Sequence, residues 1–320
     1  VQQVILSVLA GLVLFLYAVH HLSETIQKVL GERARQWILR FTGKSWQALL
    51  TGIIVTTLLD SSSAVIIITI VFVNAGAMSF RNAMGVVLGA NIGTTVSSQL
   101  IALDIASYSP ILLALGFVLL LASRSERVGN TGRIIMFFGI LFFGLFTMEE
   151  AVEPLRAYPE FQQMLDRTKD PLTGALTGAF ITLIIQSSSA TVGMAIILTK
   201  KGILSLGGAI AVMLGAELGT CSDTLLATIK GTRQALKTGL FHLIFNLCSI
   251  LLGLILFQPF TDLVLRTGNP AHPEHLVANA HMLFNTCGVL LFWGSIPIFE
   301  RVLNKILPDK PLAVVATGDM

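Results

Sequence analysis

Two short polar clusters interrupt runs that are otherwise apolar: Asp60-Ser61-Ser62-Ser63 within LLDSSSAVI, and Gln186-Ser187-Ser188-Ser189 within IIQSSSATV. Three consecutive hydroxyls at the start of a helix present O–H and backbone N–H donors to an oxyanion, and oxygen lone pairs to a cation such as Na+. One cluster can therefore serve a tetrahedral anion and Na+ at adjacent points. A further pair of segments, GANIGTT from Gly89 and GAELGTC from Gly215, adds Asn91, Thr94, Thr95, Glu217 and Thr220 as candidate liners of the same site, with the glycines as packing residues or local breaks. Asp60 and Glu217 need a separate reason to exist in apolar surroundings, because an acidic residue near a bilayer centre costs about 2.5–3.5 kcal/mol on insertion scales. Such a residue is solvated, paired or used. As carboxylates these two could coordinate Na+; as protonated acids they could couple to H+. Small polar residues also let membrane helices approach closely, which is the default for a lone serine. Three adjacent hydroxyls spread around a helix cannot all face one neighbour, and the pattern occurs twice, which favours binding over packing.

The surroundings are those of a polytopic membrane protein. Of 320 residues, 54% are hydrophobic and only 12% charged, with a mean hydropathy of +0.80. The apolar runs lack period-2 alternation, so they read as membrane helices and not as barrel strands. A net charge of +3 with the basic residues in loops fits membrane orientation and gives no footing for nucleic acid. The three cysteines lie in apolar segments with no metal-ligand spacing, so neither a disulfide nor a transition-metal site is expected. Trp37, Trp46 and Trp293 lie near segment ends, where interfacial anchoring accounts for them.

The two serine clusters are related by an offset of 126 residues, and the offset extends well beyond them. TGIIVTTLLDSSSA from Thr51 lies over TGAFITLIIQSSSA from Thr177, VVLGANIGTT from Val86 over VMLGAELGTC from Val212, Gly76 over Gly202 and Ser79 over Ser205. This is an internal duplication. The arms on either side of each cluster, Trp46 to Asp60 and Ser61 to Ala75 in the first copy, reach only about 22 Å as helices against a hydrocarbon core of roughly 30 Å. They are expected to form re-entrant hairpins with polar tips, over about residues 46–76 and 171–201. Asp170 and Pro171 serve as N-cap and first helical residue of the second, and Gly76 and Gly202 cap the outgoing arms.

The expected fold class is thus an all-α polytopic membrane protein of two inverted-topology repeats, each with a re-entrant helical hairpin. Repeat 1 (residues 1–125) has a helix near Gln2 to Leu22, the hairpin, and helices near Asn82 to Leu103 and Pro110 to Ala122. The segment Ser23 to Arg40 reads as an amphipathic helix on the membrane surface. Repeat 2 (residues 126–258) has Ile134 to Thr147, the hairpin, Ser205 to Ile229 and Ala235 to Phe257. A loop and one extra transmembrane helix near Ala278 to Phe299 fill residues 259–306, and residues 307–320 form a cytoplasmic tail. An odd number of crossings per repeat inverts the second copy. Fifteen of the 21 Lys and Arg residues then fall on one side, which places the N-terminus outside and the C-terminus in the cytoplasm of a cell (inner) membrane.

Glu149, Glu150 and Glu153 are expected at a solvated helix end. His242/Asn246 and His281/Asn285 share an H-x-x-x-N spacing, which puts each pair on one helix face; hydrogen bonds between helices are the expected role. A channel would distribute its polar residues along a pore and not concentrate them at two tips. An intramembrane serine hydrolase, with a cluster serine as nucleophile and His242 or His281 as base, does not explain a duplicated and inverted serine cluster. No other enzyme motif is present.

The paired motifs, DSSSA with GANIGTT and QSSSA with GAELGTC, resemble those of the type II sodium-dependent phosphate cotransporter family and its bacterial relatives, across nearly the whole transmembrane region. The resemblance implies a secondary active transporter and not an enzyme: a Na+-coupled symporter of inorganic phosphate working by alternating access, with elevator-like movement of the hairpin region, no cofactor beyond Na+ as coupling ion, and a homodimer in the lipid bilayer. It implies phosphate binding by Ser61, Ser62, Ser63, Ser187, Ser188 and Ser189 with Asn91, Thr94 and Thr220, and Na+ binding by Asp60, Gln186, Glu217, Thr56, Thr182 and Thr95. Two departures stand out. Asp60 replaces the Gln of the family pattern and Glu217 the Asn, and two added negative charges oppose phosphate unless Na+ or H+ neutralises them. Proton coupling, or a different oxyanion, is the alternative they raise.

Overall fold

The computed structural model describes residues 2–103, 108–152, 170–229 and 231–308. All regular structure among these is helical. In chain order the helices are α1 (Gln2–Arg40), α2 (Ser45–Leu59), α3 (Ser62–Asn74), α4 (Phe80–Ala102), α5 (Ser109–Leu121), α6 (Glu126–Val152) and α7 (Pro171–Ile185), followed by α8 (Ser188–Lys200), α9 (Leu206–Gly219), α10 (Cys221–Leu226), α11 (Arg233–Ile255), α12 (Phe257–Leu265), α13 (Pro273–Trp293) and α14 (Ile296–Ile306). Among the described residues, six stretches are long and apolar enough to cross a membrane: most of α1, then α4, α6, α9 with α10, α11, and α13. The arms α2, α3 and α7 are apolar but shorter.

Each serine cluster breaks its helix in the same way. Asp60 ends α2 at φ 50°, ψ 35°, and Gln186 ends α7 at φ 59°, ψ 29°, both in the left-handed region. The next residue is extended, Ser61 at φ −156° and Ser187 at φ −148°, and its hydroxyl accepts from the amide of the third residue on, Ala64 or Ala190. A left-handed residue followed by an extended N-cap reverses the chain in two residues. It also leaves the leading amides of α3 and α8 without intrahelical acceptors. The outgoing arms close alike. Gly76 (φ 71°) and Gly202 (φ 60°) supply left-handed turns, with Ala77 N–H donating to Phe72 C=O and Ile203 N–H to Leu198 C=O, the six-residue closure for which glycine is favoured. Asp170 caps α7 as expected, accepting from the Thr173 amide and hydroxyl. Those bonds hold its exposed carboxyl below the usual carboxylate range.

The repeat also governs packing. α2 lies against α4, and α7 against α9, through matched glycines. A methyl on Gly93 would come within 2.7 Å of Ile53 O and Thr56 Cβ, and one on Gly219 within 2.8 Å of Ala179 O. Gly52 with Gly89, and Gly178 with Gly215, bring backbones together in the same way. These glycines pack within their helices, except that Gly219 ends α9 at the division before α10. Three buried apolar clusters result. One joins α2, α3 and α4 to α11; the second joins α8 and α9 to α13; the third joins α1 to α6.

Several boundaries differ from the sequence expectation. α1 is one continuous helix and not a span followed by a surface helix, because the face carrying Leu22, Ala34 and Ile38 stays buried along its length. Glu149 is buried, held by Lys200 at 2.9 Å and Lys201 at 3.3 Å, and so clamps α6 to α8, whereas Glu150 is exposed as expected; Glu153 lies outside the described residues. The expected helix from Ser205 divides at Thr220 into α9 and α10. Residues 259–306 hold α12, α13 and α14, with α13 starting and ending about five residues earlier than expected. Most of the tail, residues 309–320, lies outside the described residues.

A second self-similarity emerges from the packing. α13 packs on α4, while α11 packs on α9 and α10. Their sequences agree at an offset of 39 residues, HLIFNLCSILL from His242 against HMLFNTCGVLL from His281. The positional counterpart of α11 is therefore α13; α5, which the 126-residue register pairs with it, packs on α6.

Candidate functional site

The first tip is pinned by two helices from opposite repeats. The Asp60 carboxylate accepts from Ser97 Oγ on α4, while Ser63 Oγ lies 3.5 Å from Asp223 Oδ2 on α10. Ser222 Oγ is 3.4 Å from Asp223 Oδ1 and donates to Gly219 C=O at 2.9 Å. Two carboxylates and three hydroxyls thus converge where α2 gives way to α3. Position 97 maps onto position 223 at the repeat offset, so each repeat carries one carboxylate in this constellation. In repeat 1 it is on the tip, and in repeat 2 on the motif helix.

At the second tip, Thr182 Oγ1 donates to Thr191 Oγ1 across the two arms at 2.8 Å, and Thr191 Oγ1 reaches Ser187 C=O at 3.2 Å. Gln186 is exposed and Ser188 buried. The equivalent of Thr191 in repeat 1 is Val65. Thr56, the equivalent of Thr182, consequently has a fully buried hydroxyl with no hydrogen-bond partner. Among the described residues no hydrogen bond joins Ser61–Ser63 to Ser187–Ser189. What links the halves at this level is the Ser63–Asp223 contact, with α4 against α8 and α3 against α10.

The motif-helix residues are buried, and most of their donors are spent on their own helices. Asn91 Nδ2 donates to Val87 C=O at 2.9 Å, Thr94 to Ala90 at 3.0 Å, Thr95 to Ile92 at 2.8 Å, and Thr220 to Ala216 at 3.1 Å. A hydroxyl that donates backward keeps its lone pairs, so these oxygens suit a cation better than an anion. Ser63 is spent on Asp223 and the Ala64 and Ala190 amides on their N-caps, so the donors suited to an oxyanion are the other tip serines and the first amides of α3 and α8.

Glu217 is placed differently. Its carboxylate Oε1 lies 2.7 Å from His281 Nε2, and His281 Nδ1 lies 2.6 Å from Ser98 Oγ. His242 Nδ1 lies 2.9 Å from Thr224 Oγ1, and Asn246 Nδ2 donates to the Glu217 carbonyl at 3.1 Å. The histidines and Asn246 make the expected bonds between helices, whereas Asn285 donates within its own helix, to His281 C=O.

Sequence reasoning missed Ser97, Ser98, Ser222 and Asp223. The available signal was an acidic residue two positions beyond GAELGTC, at the offset position of a serine two positions beyond GANIGTT. The structure also gathers His20, His21 and Glu24 within 4.8 Å on the flank of α1. Their contacts are those of ordinary exposed pairs, 3.3 Å for His20–Glu24 and 2.8 Å for His21–Glu24.

Apolar helices of crossing length around two broken hairpins, with oxygen-rich contacts at the breaks, define a multi-pass helical membrane protein with an internal polar site. The profile of the Na+/Pi-cotransporter family matches residues 14–150 and 154–263; the chain belongs to that family, which makes it a transporter and not an enzyme. It is 29% identical to the uncharacterized protein YqeW of Bacillus subtilis, over 96% of this chain and 99% of YqeW. It is 28% identical to YjbB of Escherichia coli, named as a candidate inorganic phosphate export protein, over 96% of this chain; the chain spans 56% of YjbB. A shorter similarity, 37% over 81 residues, relates it to human sodium-dependent phosphate transport protein 2C, covering 24% of this chain and 14% of that protein. No solved structure matches.

Proposed function

We propose that this protein moves inorganic phosphate across the cell membrane in symport with Na+, by alternating access of a site at the two hairpin tips. The observation that carries the reading is the shared backbone break. At each tip a left-handed residue and an extended serine expose the leading amides and hydroxyls of α3 and α8, the arrangement by which half-helices replace an anion's water shell. In this reading Ser61–Ser63 and Ser187–Ser189 hold phosphate. Asp60, Thr56, Thr95 and Gln186 supply oxygens to Na+, and Asp223 joins them. Asn91, Thr94, Thr182 and Thr220 line the same space. Na+ between Asp60 and Asp223 offsets the repulsion that two carboxylates impose on a nearby phosphate.

The hairpins are read as re-entrant and the repeats as inverted, with the N-terminus outside, the C-terminus in the cytoplasm, and the hairpin-bearing helices moving against α1, α5 and α6, within a homodimer. Short arms support this: 15 residues in α2 and in α7 reach about 22 Å against a core of roughly 30 Å. The export named for YjbB and the Na+-dependent transport named for the human protein are compatible within one symport mechanism, since the gradients set the direction of net flux. The test is radiolabelled phosphate uptake into proteoliposomes with an imposed Na+ gradient, an imposed pH gradient, or neither. Uptake driven by Na+ alone is the expected result. Uptake driven only by pH replaces Na+ with H+, and no phosphate movement under any gradient removes the substrate.

A further inference from the structure

We propose that the cleft between α1 and the first turns of α6 binds the phosphate headgroup of an anionic phospholipid, whose acyl chains run along the exposed face of α5. The inference needs only that the chain lies in a membrane, and it is independent of what the hairpin tips carry.

The cleft follows from how α1 and α6 meet. Their backbones approach at Gly11 and Gly144, where a methyl on Gly11 would come within 2.8 Å of Gly144 O. Phe15, Leu22 and Phe137 fill the contact beyond. Lys28 on α1 and Arg127 on α6 lie about 25 Å along their helices from that crossing, at a rise of 1.5 Å per residue. There the two helices leave an open cleft of about 570 Å³, within the roughly 300–1,000 Å³ of small-molecule sites. On α6 its lining residues, Glu126, Arg127, Asn130, Thr131 and Ile134, recur at helical spacing and so share one face.

The lining is of two kinds. Val29 and Ile134 supply apolar surface, while Lys28, Arg33 and Arg127 bring three cations against the one carboxylate of Glu126. Glu126 Oε1 is 3.2 Å from Lys28 Nζ, with both side chains more than half exposed, so it answers that cation alone and weakly. Among the described residues neither Arg33 nor Arg127 has an ion-pair or hydrogen-bond partner. Asn130 adds a donor from beneath. It is only 9% exposed, and Arg133 Nη1 donates to its Oδ1 at 2.8 Å. A guanidinium has no acceptor, so the carbonyl oxygen must be the atom that faces it. The Asn130 amide nitrogen is left without a partner among the described residues.

Two guanidinia, an ammonium and an amide N–H are groups that recognise a phosphate. Membrane orientation alone accounts for basic residues at this end of the spans. It does not account for their gathering around a cleft with apolar surface and a buried amide donor, the kind of pocket between membrane helices that suits an anionic lipid head.

The surface beside the cleft makes the ligand a lipid. α5 packs against α6, with Leu120 beside Gly132 and Leu113 beside Gly139. Its outer face exposes Leu121, Val118, Leu115 and Ile111, a helical stripe that leads away from the level of Thr131. A free phosphate ion has no use for that stripe, whereas acyl chains cover it.

The experiment is native mass spectrometry of the purified chain in detergent, titrated with phosphatidylglycerol or with phosphatidylcholine of the same acyl chains, with and without millimolar inorganic phosphate. Phosphatidylglycerol is expected to bind more tightly than phosphatidylcholine and to stay bound in inorganic phosphate. Arg33→Gln combined with Arg127→Gln should weaken it about thirtyfold. Arg124→Gln, in the turn before α6 and outside the cleft lining, should weaken it far less. All three arginines are exposed, so the variants keep the fold, which their melting temperatures check, and the wild-type comparison decides without any variant. Equal binding of the two lipids overturns the proposal, as does undiminished phosphatidylglycerol binding in the double variant. A loss in Arg124→Gln as large as in the double variant would reduce the effect to general surface charge, and displacement of the lipid by inorganic phosphate would make the cleft a site for the free ion; either result also overturns it.

Discussion

Replacing Gly93 with alanine puts a methyl 2.7 Å from both Ile53 O and Thr56 Cβ, where a carbon contact ordinarily settles at about 3.5–4.0 Å. A backbone carbonyl cannot rotate away, so α2 and α4 must separate by close to 1 Å. A gap of 0.5–1 Å forfeits roughly a quarter to a half of the dispersion attraction along the contact, which puts the expected loss near the top of the overpacking range, about 2–3 kcal/mol. Gly219→Ala meets Ala179 O at 2.8 Å and should cost as much. The opposite sign is expected for Gly31→Ala, in the interior of α1 with nothing within 4 Å of the new methyl: alanine gains about 0.5–1 kcal/mol over glycine there. Apparent melting temperatures of the three purified variants, recorded in one detergent at one scan rate, test the pair. A downward shift of several degrees is expected for Gly93→Ala and Gly219→Ala, and a small rise for Gly31→Ala. If Gly93→Ala melts with or above wild type, the close approach of α2 and α4 is not what the glycine is for.

Other substitutions separate roles that the serine clusters combine. Ser61→Ala removes the cap on α3 and should cost about 1 kcal/mol of stability, whereas Ser63→Ala should weaken apparent phosphate affinity with no change in melting; equal effects on both measurements would merge the two roles. Val65→Thr supplies Thr56 with the partner that Thr191 gives Thr182, and should raise stability by about 0.5–1.5 kcal/mol; a lower melting temperature would show that the two hairpin interiors are not equivalent. Asp60→Asn should raise the Na+ concentration for half-maximal flux by about tenfold, the equivalent of 1.4 kcal/mol, and an unaltered Na+ dependence would exclude it as a ligand.

The hairpins were legible in the sequence because their punctuation is local. The N-cap Asp170 before Pro171 and the glycine after each outgoing arm act within a few residues and act as read; the left-handed Asp60 and Gln186 and the capping Ser61 and Ser187 are equally local. The continuity of α1 was not legible. Its second half carries charges typical of a surface helix, and only tertiary packing reveals that Ala34 and Ile38 are buried. Asp223 was hidden for a similar reason, since a carboxylate one turn past a motif gains meaning only when Ser63 of the other repeat arrives beside it. The kinship of α11 with α13 is visible in the sequence once sought, but the 126-residue register directs attention to α5.

Duplication supplies the two halves with one backbone, and the chemistry lies where their side chains diverge. Asp60 and Ser97 correspond to Gln186 and Asp223, Asn91 to Glu217, and Val65 to Thr191. A symmetric protein with Asp at both tips and both motif helices would gather four carboxylates around one anion. Here the first exchange places one carboxylate per repeat, Asp60 against Ser97 of its own repeat and Asp223 against Ser63 of the other. The second adds a carboxylate and sets it 2.7 Å from His281 Nε2 on α13, apart from the contacts of the tip serines. The two departures from the family pattern are thus placed differently: Asp60 sits at the first tip against Ser97, and Glu217 is buried against His281.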